Sequence, residues 1–242
     1  MNNNKVALIT GANKGLGLEI GRQLGRRGIT VVLGARDEKK GAEAVAKLKS
    51  EGLDAHLVKL DATDQATIEA LPQFLENKFG RLDILVNNAG VSLDFGVPPS
   101  QSDIGKWKQT FETNVFGVLA VTKAVLPLIK QSEQGRIVNH SSILGSLTEL
   151  SKADSEISAF VGPAYQASKA ALNAITVAFA NELRGTNVKV NSAHPGWVKT
   201  DMGTDEAPLT VDVGAKTAVW LATLPETGPT AGFFHDNQSL GW

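Results

Sequence analysis

Apolar residues recur along this chain in two alternating rhythms. Val6-Ala7-Leu8-Ile9 is a short, wholly apolar run, the form taken by a strand buried on both faces. Leu16, Ile20 and Leu24 follow at i, i+4 and i+8, which is one stripe of a helix. The alternation then repeats. Strands are predicted at Thr30–Leu33, His56–Leu60, Asp83–Val86, Arg136–Val138, Val188–Val190 and Gly232–Phe234. Helices are predicted at Asp37–Ser50, Ala66–Phe79, Ile104–Lys130, Ala164–Leu183 and Val213–Leu224. Seven strands separated by helices predict an α/β fold, a doubly wound parallel seven-stranded sheet with helices on both faces. No internal repeat, linker or low-complexity tract interrupts the pattern, so residues 1–242 read as a single domain.

Composition narrows the function. The 242 residues are 42% hydrophobic and 20% charged, enough to bury a core and too apolar for a disordered chain. The formal charge is −1, which leaves no electrostatic footprint for nucleic acid and no basic face for a membrane. No uninterrupted apolar stretch approaches the ~18 residues of a membrane span. Met1-Asn2-Asn3-Asn4-Lys5 runs directly into the first strand and leaves no room for a signal peptide, so a soluble cytoplasmic protein is expected. There is no cysteine, hence no disulfide, thiol nucleophile or zinc-thiolate site. The four histidines show no ligand spacing, and no metal is expected. The chain contains one tyrosine, Tyr165.

The turn after the first strand carries the first chemistry. Thr10-Gly11-Ala12-Asn13-Lys14-Gly15-Leu16-Gly17 opens the first helix. A dinucleotide pyrophosphate needs a backbone it can approach closely and a helix N-terminus whose free N–H groups face the anion. Gly11 allows the tight turn, Gly15 the approach and Gly17 the packing of helix on strand. Strand two ends in Gly34-Ala35-Arg36-Asp37. An NAD site would put an acid at that end for the ribose hydroxyls, whereas Arg36 can hold a 2′-phosphate with a forked, charge-assisted contact. Lys14 adds a second cation. NADPH/NADP+ is therefore favoured over NADH. Asp37 complicates this choice, because it would either repel the phosphate or bind the ribose.

Tyr165 and Lys169 lie at i and i+4 on a predicted helix, on one face. A free tyrosine titrates near ~10, and moving it by ~3 units takes about 4 kcal/mol. One cation at ~4 Å supplies about that much at an effective dielectric of 20. In isolation such a pair is most often an ordinary buried Tyr above a surface Lys.

It is not isolated. Thr10 to Gly17, Asn87-Asn88-Ala89-Gly90, Asn114 in Asn114-Val115-Phe116-Gly117, Val138-Asn139-His140-Ser141-Ser142, Tyr165-Gln166-Ala167-Ser168-Lys169 and Pro195-Gly196-Trp197-Val198-Lys199-Thr200 follow one another. Six motifs in that order over nearly the whole chain resemble the classical short-chain dehydrogenase/reductase family. The glycine turn and the Pro-Gly segment are similar to its NADPH-dependent carbonyl reductase branch. The resemblance implies a Rossmann-type fold and a set of roles. Tyr165 is then the general acid toward the carbonyl oxygen, and Ser142 orients that oxygen, with Ser141 its rival. Lys169 binds the nicotinamide ribose and lowers the Tyr165 pKa, and Asn114 holds a water in a proton relay. Gly11, Asn13, Lys14, Gly15, Leu16 and Gly17 form the pyrophosphate turn. Asp61 and Ala62 approach the adenine, Asn88, Ala89 and Gly90 line the ribose, and Pro195, Gly196, Val198 and Thr200 hold the carboxamide. Residues outside these motifs have blander readings. His140 and His194 are expected to be structural, and Trp107 with Phe111 to belong to the core.

The chain departs from the family pattern in two places. Ser142 and Tyr165 are 23 positions apart, longer than the family's common spacing, which marks an insertion at about 147–161. It shapes the pocket or covers a helix used for oligomerisation, so monomer, dimer and tetramer all stay open. The segment 201–210 stands where the family carries a substrate lid. Here it is short, with Met202 a candidate pocket residue, and predicts an open pocket and broad substrates. The expected activity is reduction of ketones and aldehydes to alcohols. Two alternatives are an alcohol or sugar dehydrogenase working oxidatively on the same residues, and a non-catalytic NADP-binding regulator. The second is disfavoured because all four catalytic residues are present.

Overall fold

The computed structural model describes residues 4–242; Met1, Asn2 and Asn3 of the N-terminal reading lie outside them. β1 (Val6–Thr10), β2 (Thr30–Ala35), β3 (Ala55–Lys59), β4 (Ile84–Asn87), β5 (Arg136–His140), β6 (Lys189–Ala193) and β7 (Phe233–His235) pair in parallel in the order β3-β2-β1-β4-β5-β6-β7. The reversal of strand order lies between β1 and β4, whose register aligns Leu8 with Leu85 and Ile9 with Val86. The carboxyl ends of strands flanking such a reversal open a crevice, the usual ligand position in this architecture.

Both faces of the sheet are covered, as the apolar runs predict. In β1, Ala7 and Ile9 point to one face and Val6 and Leu8 to the other. On the first face they meet Ile20 and Leu24 of α1 (Gly15–Gly25), Leu48 of α2 (Glu38–Ser50) and Val219 of α10 (Lys216–Ala222). On the second they meet Leu71 and Leu75 of α4 (Leu71–Phe79), Val121 and Val125 of α6 (Val118–Lys130) and Phe179 of α8 (Pro163–Glu182).

Four expectations are corrected. Among the described residues the sheet has eight strands, not seven. β8 (Gln238–Ser239) pairs antiparallel with β7 through a two-residue turn, Asp236-Asn237, at φ 46° and 63°. Its two residues are polar and exposed, so no hydrophobic pattern announces it. The helix expected over Ala66–Phe79 is divided into α3 (Gln65–Glu69) and α4, with Pro72 in the first turn of the latter. The helix expected over Val213–Leu224 is likewise divided, into α9 (Val211–Gly214) and α10. The predicted long helix is continuous over Ile104–Lys130 and, by length and composition, could cross a membrane. Here its apolar residues pack on the sheet through Val121, Val125, Leu128 and Ile129. Finally, Trp107 and Phe111 of α5 (Ile104–Phe111) stack on each other at 6.2 Å, half-exposed and outside both core clusters.

The long helical run also contains a defect. Between α5 and α6, Glu112–Gly117 forms a π-helical turn. Such turns widen the backbone ladder locally and recur at functional sites. Asn114 sits inside this one.

Candidate active site

The glycine turn closes over the end of β1. Gly11 has φ 62° and Gly15 φ 56°, a conformation that favours glycine. A Cβ on Gly17 would fall 2.5 Å from Asn88 Nδ2 and 2.8 Å from the Gly11 oxygen, so only hydrogen fits there. A Cβ on Gly15 would meet nothing nearer than Thr200 Cγ2 at 3.7 Å, so the face of the turn toward Thr200 is open. Lys14 is the residue preceding α1; no side chain caps the helix and its first turn holds no acid. Free N–H groups, an uncontested dipole and an open backbone together fit a pyrophosphate. Asn13 and Leu16 are half-buried at its border.

The turn is braced from β4. Thr10 Oγ1 accepts the backbone N–H of Asn88 and of Ala89, both at 3.0 Å. Asn88 Nδ2 donates to the oxygens of Thr10 and Gly11 at 3.0 and 3.2 Å. Asn88, Ala89 and Gly90 thereby line the crevice beside the turn. A Cβ on Gly90 would come 3.6 Å from Lys169 Nζ, so this edge reaches the lysine ammonium.

At the end of β2 Arg36 is exposed, and the acids next to it are engaged elsewhere. Asp37 caps α2, accepting the Lys40 N–H at 3.0 Å. Glu38 pairs with Lys59 at 3.4 Å. Asp37 is thus turned to the helix backbone, and Arg36 projects a net positive edge that suits a 2′-phosphate. Asp61 binds its own turn, accepting from the Thr63 N–H and hydroxyl at 2.9 and 2.8 Å, with Ala62 half-buried beside it.

The catalytic candidates converge on the ends of β5 and α8. Ser141 is buried and points at the helix backbone, donating to the Lys169 oxygen at 3.4 Å. Ser142 faces the Tyr165 phenol. Its Oγ also accepts the Leu144 N–H at 3.2 Å. Lys169 Nζ lies 5.5 Å from the centre of the Tyr165 ring and donates to the His140 carbonyl at 2.7 Å. The Asn114 amide is fully engaged: it exchanges bonds with the Val91 backbone at 2.9 and 2.8 Å and donates to Ser168 Oγ at 3.0 Å. Both amide hydrogens and one lone pair of the oxygen are thus committed to holding Val91 and Ser168.

The electrostatics differ from the sequence expectation. Burial pushes the Tyr165 phenol up to about 12, and the Ser142 hydroxyl pulls against that rise. Burial also brings Lys169 down to about 8. The Lys169 ammonium is committed to the His140 carbonyl, and for the phenol desolvation dominates.

Some contributors escaped the sequence reading. Asp94 is buried and caps α8, its carboxylate accepting the Ala164 N–H at 2.6 Å. The signal available was an acid shortly after Asn-Asn-Ala-Gly, but nothing local pairs it with a helix 70 residues on. Phe95 is exposed beside it and packs on Phe160 at 6.2 Å, which packs on Trp197 at 6.0 Å. These rings form an aromatic edge with exposed Met202 nearby in sequence. The expected insertion holds two short helices, α7 (Leu147–Leu150) and a 3-10 turn at Glu156–Ala159. Pro195 and Gly196 follow β6, and buried Val198 bridges to Leu209.

Residues 5–208 match the family described as short chain dehydrogenase. Carbonyl reductase (NADPH) 1 of Sus scrofa is 37% identical over 281 residues, covering 99% of this chain and 95% of the relative. That alignment is longer than this chain, so the relative carries segments with no counterpart here. (+)-Neomenthol dehydrogenase of Capsicum annuum is 34% identical, covering 97% and 96%. The crystal structure of NADPH-bound carbonyl reductase from chicken fatty liver superimposes with TM-score 0.87 at 28% identity, covering 99% of both chains. An open glycine turn at the strand reversal, a Ser-Tyr-Lys cluster beside it and these full-length likenesses lead to one conclusion: the chain is an oxidoreductase of the short-chain dehydrogenase/reductase family.

Proposed function

We propose that this protein reduces ketones and aldehydes to alcohols with NADPH. The observation that carries the reading is the convergence of Ser142, Tyr165 and Lys169 at the ends of β5 and α8, against the crevice edge formed by Gly90. The glycine turn and Arg36 would hold NADPH, which would supply the hydride for the carbonyl carbon. The Ser142 hydroxyl donates to the carbonyl oxygen and fixes its position. Tyr165 delivers its proton to that oxygen. With a phenol held near 12, the proton is present on Tyr165 throughout the neutral range. Lys169 faces the ring and favours the phenolate left behind. Asn114 clamps Val91 and so fixes the loop that follows Gly90.

The aromatic edge of Phe95, Phe160 and Trp197 and the short 201–210 segment suit apolar carbonyl compounds of varied shape. The same reading places the enzyme in the cytoplasm, acting on small molecules. The test is NADPH oxidation against a panel of ketones and aldehydes, with wild type and Tyr165→Phe. The Phe variant is expected to bind NADPH normally and to lose on the order of 10²–10⁴-fold in kcat. Full activity in that variant would refute the mechanism. Turnover confined to alcohols with NAD+ would favour an oxidative dehydrogenase.

A further inference from the structure

The ammonium of Lys14 in the glycine turn is already paired, with the carboxylate of Asp201. Both side chains are exposed, 66% and 79%, so the pair lies at the surface beside the glycine turn. The pair joins the glycine turn to the loop that follows β6. Lys14 precedes α1, and Asp201 follows Thr200, whose methyl faces Gly15.

The Asp201 loop is pinned at its base and held together at its tip. Lys199 donates its N–H to the Leu209 oxygen at 2.8 Å, and Leu209 donates to the Trp197 oxygen at 3.2 Å. At the tip, Thr204 N–H donates to the Thr200 oxygen at 2.9 Å, and Trp197 Nε1 donates to the Gly203 oxygen at 2.7 Å. The indole that forms part of the aromatic pocket edge is therefore tied to the same turn as Asp201. Lys14 also lines a groove of about 400 Å³, together with Lys40, Glu43 and Lys47. Three lysines against one glutamate leave that groove cationic, and the charge of Lys40 also reaches Asp201.

We propose that Asp201 is a specificity-determining residue. It occupies Lys14 in place of a phosphate, a 2′-phosphorylated dinucleotide displaces it, and the exchange couples the phosphate site to the turn that holds Trp197. The proposal rests on the NADPH reading above. An exposed pair of this kind is worth at most about five-fold in an equilibrium constant, enough to modulate cofactor affinity and too little to block it.

The experiment is calorimetric titration of the whole protein with NADPH, NADH and adenosine 2′,5′-bisphosphate. Asp201→Asn is expected to tighten NADPH and the bisphosphate by about two- to five-fold. It should move NADH no more than Asp205→Asn does, an exposed acid on the same loop that controls for simple loss of charge. In a Lys14→Ala background Asp201→Asn should have no effect. The bisphosphate alone should change tryptophan fluorescence in wild type and not in Trp197→Phe. Equal effects of Asp201→Asn and Asp205→Asn, tightening that persists without Lys14, or a Trp197 signal that does not move would each overturn the proposal. If wild type binds no NADPH, the functional reading fails with it. If wild type binds NADPH and Asp201→Asn changes nothing, only the role of Asp201 falls.

Discussion

Lowering the pH from 7 to 5 should weaken the fold measurably through one side chain at the end of β5. His140 is 5% exposed, and its Nδ1 lies 3.0 Å from Asn88 Oδ1. Its Nε2 is buried without a partner, so a proton there would have neither water nor acceptor. Burial first, and the charge of Lys169 second, push its pKa from 6.5 down to about 3. In the unfolded chain it titrates near ~6.5. Between these values the unfolded state carries a proton that the folded state refuses. The contribution is therefore whole above pH 6.5 and is lost as pH falls toward 3. At pH 5 the gap is about 1.5 pH units, or about 2 kcal/mol at 1.36 kcal/mol per unit. His194, also pushed down to about 3, adds in the same direction. Urea unfolding of wild type and His140→Asn at both pH values isolates the effect, since asparagine can keep the donor to Asn88. The stability lost by wild type between pH 7 and 5 should exceed that of the variant by about 2 kcal/mol. Parallel curves would mean that His140 reaches solvent and would refute the assignment.

The role proposed for Lys169 gives a pH test of activity. Lys169 sits at about 8, so its cation fades as pH rises through that value, and kcat/KM for reduction should fall there. A profile flat to pH 10 would count against its role. Gly17→Ala would bring a methyl to 2.5 Å from Asn88 Nδ2, and NADPH affinity by calorimetry should fall more than about ten-fold with the fold retained. Asp94→Ala removes the acceptor for the first turn of α8, costing about 1–2 kcal/mol by thermal unfolding and lowering kcat, because Tyr165 stands in that turn. Arg136→Met should cost about 2–4 kcal/mol with KM unchanged. It strips four carbonyls (those of Gly135, Asn187, Leu224 and Pro225) of their guanidinium donor, at the strand end remote from the site.

Much of the fold was legible because both faces of the sheet are buried. A strand such as Val6–Thr10 has no solvent side to make polar, so its apolar run is continuous and conspicuous. The same reason hides β8, which lies exposed at the sheet edge and depends on a turn conformation of Asp236 and Asn237. The glycine turn was legible because its demands are local. Gly11 and Gly17 are needed by backbone conformation and by contacts that adjoining motifs supply. Long-range partners were not: Asp94 to α8, Asp201 to Lys14 and His140 to Asn88 join side chains whose proximity no spacing encodes.

The tyrosine marks the sharpest limit of spacing arguments. A lysine four residues away does share its face, and Lys169 does look onto the ring. From that spacing alone the cation should depress the phenol, because a Coulomb estimate assumes a charge free to act in a uniform medium. The fold alters both conditions. It commits the ammonium to the His140 carbonyl and buries both groups, so that each shifts toward its neutral form. In the proposed direction of reaction this is an advantage. An acid must hold its proton until the oxygen beside it becomes basic, and a phenol near 12 does so. The cation is then needed only once negative charge develops on Tyr165, when a buried ammonium acts through low dielectric and is worth most. The pairing thus favours the transition state over the resting enzyme, which is the differential stabilisation that lowers a barrier.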